Sequence, residues 1–185
     1  GRETITIGEG DAARAIAVEC RAGRAPGLLW LGGFRSDMAG SKALAVDAHG
    51  EARGLAVTRF DYSGHGVSGG RFEDGTISRW ADEARAVFET TTGPQILIGS
   101  SMGGWMALLL ARAHLAAVGR DASRIAGMVL IAPAPDFTED LMWVGFSEEI
   151  RRTIMEEGAW REPSDYSDEP YTITRALIED GRRNL

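Results

Sequence analysis

A chain of 185 residues with 44% hydrophobic and 25% charged residues has the balance of a folded domain, since disordered chains carry less apolar surface. Its formal charge of −7 argues against a phosphate-tracking surface, so no nucleic acid is expected as a partner. The lone cysteine, Cys20, excludes an internal disulfide and a thiolate metal cage, and no apolar run approaches the roughly 20 residues that span a bilayer. With no charged-then-apolar leader in view, a soluble cytoplasmic protein is expected, with no metal and no cofactor. Of the 20 basic residues only Lys42 is lysine, which reads as a coding bias rather than an arginine-specific function.

Short β-type runs alternate with helix-type runs, the pattern of an α/β fold. Thr4–Ile7 and Ile16–Cys20 read as opening strands, and the continuously apolar run Gly27–Leu31 as a strand buried on both faces. Gly32-Gly33-Phe34 breaks it, and Ser36-Asp37 offer N-caps for a helix over about Ser41–Ala52 that closes near Gly54. Leu55–Asp61 is the next strand, followed by the glycine-rich loop Tyr62–Gly75. Ile77–Thr90 fits a helix with Ile77, Trp80, Ala81, Ala84, Val87 and Phe88 on one stripe. Gln95–Ile98 is a short strand, with a helix from Ser101 to about His114. Ile125–Ala132 is a further apolar strand, ended by Pro133-Ala134-Pro135. Beyond it, Phe137–Gly158 and Tyr171–Asp180 read as amphipathic helices with no later strand. The division expected is an incomplete core over 1–135 and a helical cap with a following helix over 136–185.

Gly99-Ser100-Ser101-Met102-Gly103 matches G-x-S-x-G, with a strand running in and a helix running out, the arrangement of a nucleophile elbow. Ser100 is not the centred serine, because Ile98 stands where its leading glycine would have to be. The tight turn requires small neighbours, and the helix N-terminus favours an alkoxide-like atom at Ser101. Acyl transfer also needs two backbone N–H donors aimed at the oxyanion. Met102 is expected to supply one and Phe34, in the loop after the apolar strand, the other.

Three segments in this order, Gly32-Gly33-Phe34, Phe60–Ser68 and Gly99–Trp105, resemble an α/β-hydrolase. More narrowly, Ser36–Ala45 and Gly93–Ser101 resemble the mitochondrial palmitoyl-protein thioesterase and acyl-glucuronide esterase branch. The resemblance runs from about Ile16 to Leu185. It implies a mostly parallel sheet flanked by helices, truncated after the sixth strand and cap helices. It also implies a serine esterase or thioesterase that forms an acyl-enzyme on Ser101, with a small-molecule acyl ester or thioester as partner.

A serine hydrolase of this order places its acid and then its histidine after the nucleophile. Of His49, His65 and His114 only the last follows Ser101, and thirteen helical positions at about 1.5 Å rise put it roughly 20 Å away. His49 sits late on a helix leading away from the site. His65 lies in a loop at the right end of the sheet and stays open as a base, although the resemblance makes it a turn residue. Asp136 follows the last strand, where some such enzymes carry their acid, and a capping role is the alternative. The resemblance implies that the usual acid and histidine lie on further strand-ending loops beyond this chain. An incomplete fragment is therefore expected, with self-association or a missing C-terminal segment at the exposed sheet edge. Two other functions compete. Gly64-x-Gly66-x-x-Gly69 matches a dinucleotide fingerprint, yet Gly70–Gly75 intervenes where a helix should open. A non-catalytic binding protein on a hydrolase fold is the stronger alternative.

Overall fold

A computed structural model of the chain describes residues 1–163 and 170–185. In chain order the elements are β1 (Arg2–Ile7), β2 (Arg14–Arg21), β3 (Arg24–Leu31), α1 (Ser41–Arg53), β4 (Leu55–Phe60), α2 (Ile77–Thr90), β5 (Gln95–Ser100), α3 (Met102–Val118) and β6 (Ile125–Ile131). The strands form one six-stranded sheet in the order β1-β2-β4-β3-β5-β6. β1, β2 and β4 pair antiparallel, whereas β4, β3, β5 and β6 run parallel. The loops at the C-terminal ends of β3, β4 and β5 therefore meet on one side.

The apolar run in β3 is central because both its faces are covered, and Leu28, Leu29, Trp30 and Leu31 are all buried. Right-handed crossovers from β3 to β4, and from β4 past β3 to β5, put α1 on one face and α2 and α3 on the other. α2 begins at Thr76, whose side chain accepts the Arg79 N–H, and buries Ile77, Trp80, Ala84, Val87 and Phe88 as the stripe predicts. The stripe also contains a fully buried Glu83 that no apolar pattern marks.

Four expectations need correction. α1 is capped by Gly40 with no side-chain bond, because Asp37 instead turns back to accept the Ala39 N–H at 2.8 Å. The segment Phe137–Gly158 is not one helix: a π-helical turn over Thr138–Trp143 gives way at Gly145–Phe146 to α4 (Glu148–Glu157), whose cap Ser147 accepts the Ile150 N–H. Later strands do exist: β7 (Ala159–Glu162) and β8 (Tyr171–Thr174) pair antiparallel in a separate two-stranded sheet. The expected helix Tyr171–Asp180 is therefore a strand followed by α5 (Arg175–Arg182). Alternating Tyr-Thr-Ile-Thr buries Ile173, and Thr174 then caps α5 by accepting the Leu177 N–H at 3.0 Å. Ile154, Ile173 and Ile178 form a small second core with Met142, Trp143 and Phe146 around it. α5 is tied to α2 by Asp180, which accepts the Ser78 N–H at 2.7 Å and its hydroxyl at 2.8 Å.

β6 pairs only with β5 and is the edge of the main sheet, with Val129 48% exposed. No helix opens at Gly69: a short 3-10 turn at Phe72–Asp74 precedes α2. Among the described residues, no helix is long and apolar enough to cross a membrane.

Candidate active site

β5 runs straight into Ser101 and α3 leaves it. Ser101 has φ 55° and ψ −118°, a left-handed backbone that costs a non-glycine residue roughly 1–3 kcal/mol. The turn is held by its neighbours: the Ser101 N–H donates to the Ile131 carbonyl at 3.0 Å, and its own carbonyl accepts from Gly104 and Ala134. The small residues of the motif have physical reasons. A Cβ on Gly103 would run into the Leu31 carbonyl, and one on Gly99 into the Gly103 carbonyl. The elbow is therefore pressed against the end of β3, while the Ser101 side chain stays exposed.

The loop after β3 lies beside it. A Cβ on Gly33 would come within 3.6 Å of the Ser101 Cβ. Phe34 and Ser101 line one cavity of about 450 Å³, walled by Phe137, Leu141, Met142 and Phe146 and edged by Arg35 and Glu162. The Phe34 amide donates to no protein acceptor among the described residues. Met102, as the first helical residue of α3, has an amide beyond the reach of the intrahelical ladder. On the other side of Ser101 a cavity of about 290 Å³ is lined by Trp30, Ser36 and Lys42 among others, and the buried Trp30 indole N–H has no acceptor there. The residues expected from the sequence, Ser101, Phe34 and Met102, are thus brought together.

The three histidines are not brought to Ser101. His49 is exposed on α1. His114 is buried on α3, where its Nε2 accepts the Arg124 N–H at 3.3 Å and its ring meets Phe88 edge-on. His65 is buried among Tyr62, Phe72 and Trp80 with both ring nitrogens engaged. Its Nε2 accepts the Arg35 N–H at 3.0 Å, which leaves the proton on Nδ1, donated to the Ser63 carbonyl at 3.0 Å. Burial holds the His65 pKa below its usual value, against the opposing pull of the Ser63 carbonyl, Glu83 and Asp61. Asp136 has φ 61° and offers its carbonyl to the Glu139 and Asp140 N–H groups, a turn-forming role.

Several residues in this region hold the loops in place rather than face Ser101. The buried Asp61 carboxylate accepts the Met38 N–H at 2.7 Å and the Val67 N–H at 2.9 Å, tying the loops after β3 and β4 together. Glu83 accepts the Ser63 N–H and hydroxyl, each at 2.6 Å, and Arg14 Nε at 2.8 Å. Arg35 stacks 3.7 Å over the Tyr171 ring and pairs with Glu162 at 3.1 Å. A charged residue directly after Gly-Gly-Phe was the one available signal for Arg35. No group of His, Cys, Asp and Glu among the described residues could hold a metal ion.

A family model described as serine aminopeptidase, S33, matches residues 43–174. The chain belongs to this α/β-hydrolase family. The crystal structure of a putative hydrolase from Agrobacterium vitis superposes with a TM-score of 0.90 at 49% identity, covering 100% of this chain and 72% of that one. Mouse alpha/beta hydrolase domain-containing protein 10 superposes with a TM-score of 0.77 at 29% identity, over 99% of this chain and 70% of that one. Human mitochondrial palmitoyl-protein thioesterase ABHD10 is 34% identical over 164 residues, 88% of this chain and 51% of its own length. The chain therefore spans about half the length of the curated relatives it matches. Within the family, its resemblance to the palmitoyl-protein thioesterase extends over 88% of this chain.

Proposed function

We propose that the protein is a serine hydrolase of carboxylic esters or thioesters, with Ser101 as its nucleophile. The observation that carries this reading is the elbow, which holds an exposed Ser101 at φ 55° over an apolar cavity. Ser101 Oγ attacks the acyl carbonyl and gives up its proton to a general base. The Phe34 and Met102 amides receive the negative charge that develops on the carbonyl oxygen. Collapse expels the alcohol or thiol and leaves an acyl-enzyme, which water hydrolyses by the same steps. Phe137, Leu141, Met142 and Phe146 suit a fatty acyl chain, in keeping with the activity named for the human relative.

None of the three histidines supports the role of base. We place the acid and base on residues beyond Leu185, in strands that pair with the free side of β6, so the 185 residues are part of a longer protein. Residues 1–135 then form the incomplete core and 136–185 the cap with the helix that follows it. The unpartnered β6 edge also supports self-association of the isolated segment. The cytoplasm is the compartment we propose, on the single half-buried thiol of Cys20, although the curated relatives are named mitochondrial.

Labelling of the intact gene product with a fluorophosphonate probe tests the assignment. Wild type reacts and Ser101→Ala does not; equal labelling of the two refutes it. The isolated segment should trail the full protein by orders of magnitude against a p-nitrophenyl ester, since a site lacking triad members keeps only about 10³–10⁴-fold catalysis over water. The lack of a base among the described residues favours one second reading, a non-catalytic binding protein. A reading frame that ends near Leu185 without a further Asp and His would select it.

A further inference from the structure

We propose that His65 is a positioning residue that locks the arm of the oxyanion hole carrying the Phe34 amide. This rests on the hydrolase reading above and adds a residue to its site. An amide that must meet a developing oxyanion is useful only if its peptide plane is fixed before the reaction, because reorientation at that moment costs rate. Two peptide planes flank Phe34. In the first, the Gly33 carbonyl accepts the Ser36 N–H at 3.2 Å, and in a trans peptide this turns the Phe34 N–H the opposite way. In the second, the Arg35 N–H is held by His65 Nε2 at 3.0 Å. Arg35 itself stands at φ 63°, a conformation from which a non-glycine backbone relaxes when released. The imidazole is the lock on that strained residue.

The lock is anchored in turn. His65 Nδ1 is bound to the Ser63 carbonyl, which also accepts the Trp80 indole N–H at 3.2 Å. The Ser63 N–H and hydroxyl are held by the buried carboxylate of Glu83. A continuous line of hydrogen bonds thus runs from α2 to the loop after β3: Glu83, Ser63, His65, Arg35. Only a neutral His65 can close it. A proton on Nε2 would face the Arg35 N–H donor to donor, and the arm would be released. The charged groups around the ring are Glu83 from α2, Asp61 from the end of β4 and the Arg35 guanidinium; Asp37 and Glu73 line the same neighbouring cavity as the ring. The desolvation of a nearly enclosed ring keeps the neutral form in place against the Glu83 and Asp61 carboxylates and the Ser63 carbonyl.

The test uses the full gene product as wild type, His65→Leu and His65→Gln. Leucine fills space without an acceptor; glutamine restores an acceptor near the Nε2 position and does not titrate. Two readouts are taken: turnover of a p-nitrophenyl ester, and hydrogen exchange of the Arg35 amide. His65→Leu should lower kcat by between about tenfold and the roughly 10³-fold that loss of an oxyanion donor costs, with KM within about twofold. It should also speed Arg35 exchange, and His65→Gln should recover both. Unchanged exchange in His65→Leu overturns the lock whether or not the protein hydrolyses the ester. Faster exchange with unchanged kcat overturns the positioning role. A wild type that neither turns over ester nor takes the fluorophosphonate overturns the hydrolase reading, while exchange still decides whether His65 holds the arm. Failure of the glutamine variant to recover either readout, with thermal melts showing it folded, assigns the leucine effect to packing and also refutes the proposal.

Discussion

Replacing Glu83 with leucine should be among the most damaging single changes outside the elbow. Its side chain is 0% exposed and that of Arg14 only 7%, so neither charge has water to fall back on. The substitution leaves the Arg14 guanidinium buried without its partner and strips the Ser63 N–H and hydroxyl of their acceptor. Breaking a buried pair from one side costs about 3–5 kcal/mol. For a chain of this size that is a fall in melting temperature of roughly 6–20 °C, at about 2–4 °C per kcal/mol. Arg14→Leu should cost less, because the carboxylate keeps both Ser63 bonds and has Arg79 Nε at 3.9 Å. The double variant, Arg14→Leu with Glu83→Leu, should be more stable than Glu83→Leu alone, because the stranded charge is gone. Urea unfolding of all four proteins, followed by circular dichroism, measures the cycle. Additive losses, or a Glu83→Leu cost under about 1 kcal/mol, would show that the pair is solvated and the reasoning wrong.

Two further outcomes follow from the site. Gly103→Ala forces a Cβ into the Leu31 carbonyl, so fluorophosphonate labelling should be lost together with about 1–3 kcal/mol of stability from overpacking; wild-type labelling would mean that the elbow is looser than its contacts imply. Stability should also depend on pH through His65, whose folded pKa is depressed, chiefly by burial. The unfolded chain takes up the proton first, so the contribution is full above about pH 6.5 and is lost as pH falls through the folded value. Urea midpoints between about pH 7.5 and pH 5 should therefore drop more steeply for wild type than for His65→Gln; parallel curves would contradict this.

What the sequence revealed was what repeats or clusters. β3 and β5 announced themselves as apolar runs, α2 as a stripe, and the elbow as a motif between two elements. The β7–β8 pair is hidden in the sequence because each strand is four residues long, too short to separate a period of two from the start of a helix. Tyr171–Thr174 leads directly into α5, and the two together pass for one amphipathic helix. The cap of α1 is ambiguous in the sequence because Asp37 can serve either a helix or its own turn, and the turn wins. The support of the site was the least legible part. Glu83 occupies a buried position that a charge rarely takes, and Asp61 looks like any strand-ending carboxylate. Their roles exist only once β2, α2 and the loops after β3 and β4 have met.

Lys42 carries the only side-chain amine in these 185 residues, and it is exposed at the start of α1 beside the cavity that Ser101 shares with Trp30. An amine-reactive dye therefore has one side-chain destination in this stretch, at the rim of the site and on a helix rather than a loose loop. The same chain, so rich in arginine, has by composition a built-in attachment point for fluorescence. Trp30, with its indole facing the same cavity, is a native energy donor to a dye placed there. Ligand entry can be followed by the change in the dye's own emission at that rim, without adding or removing a single residue.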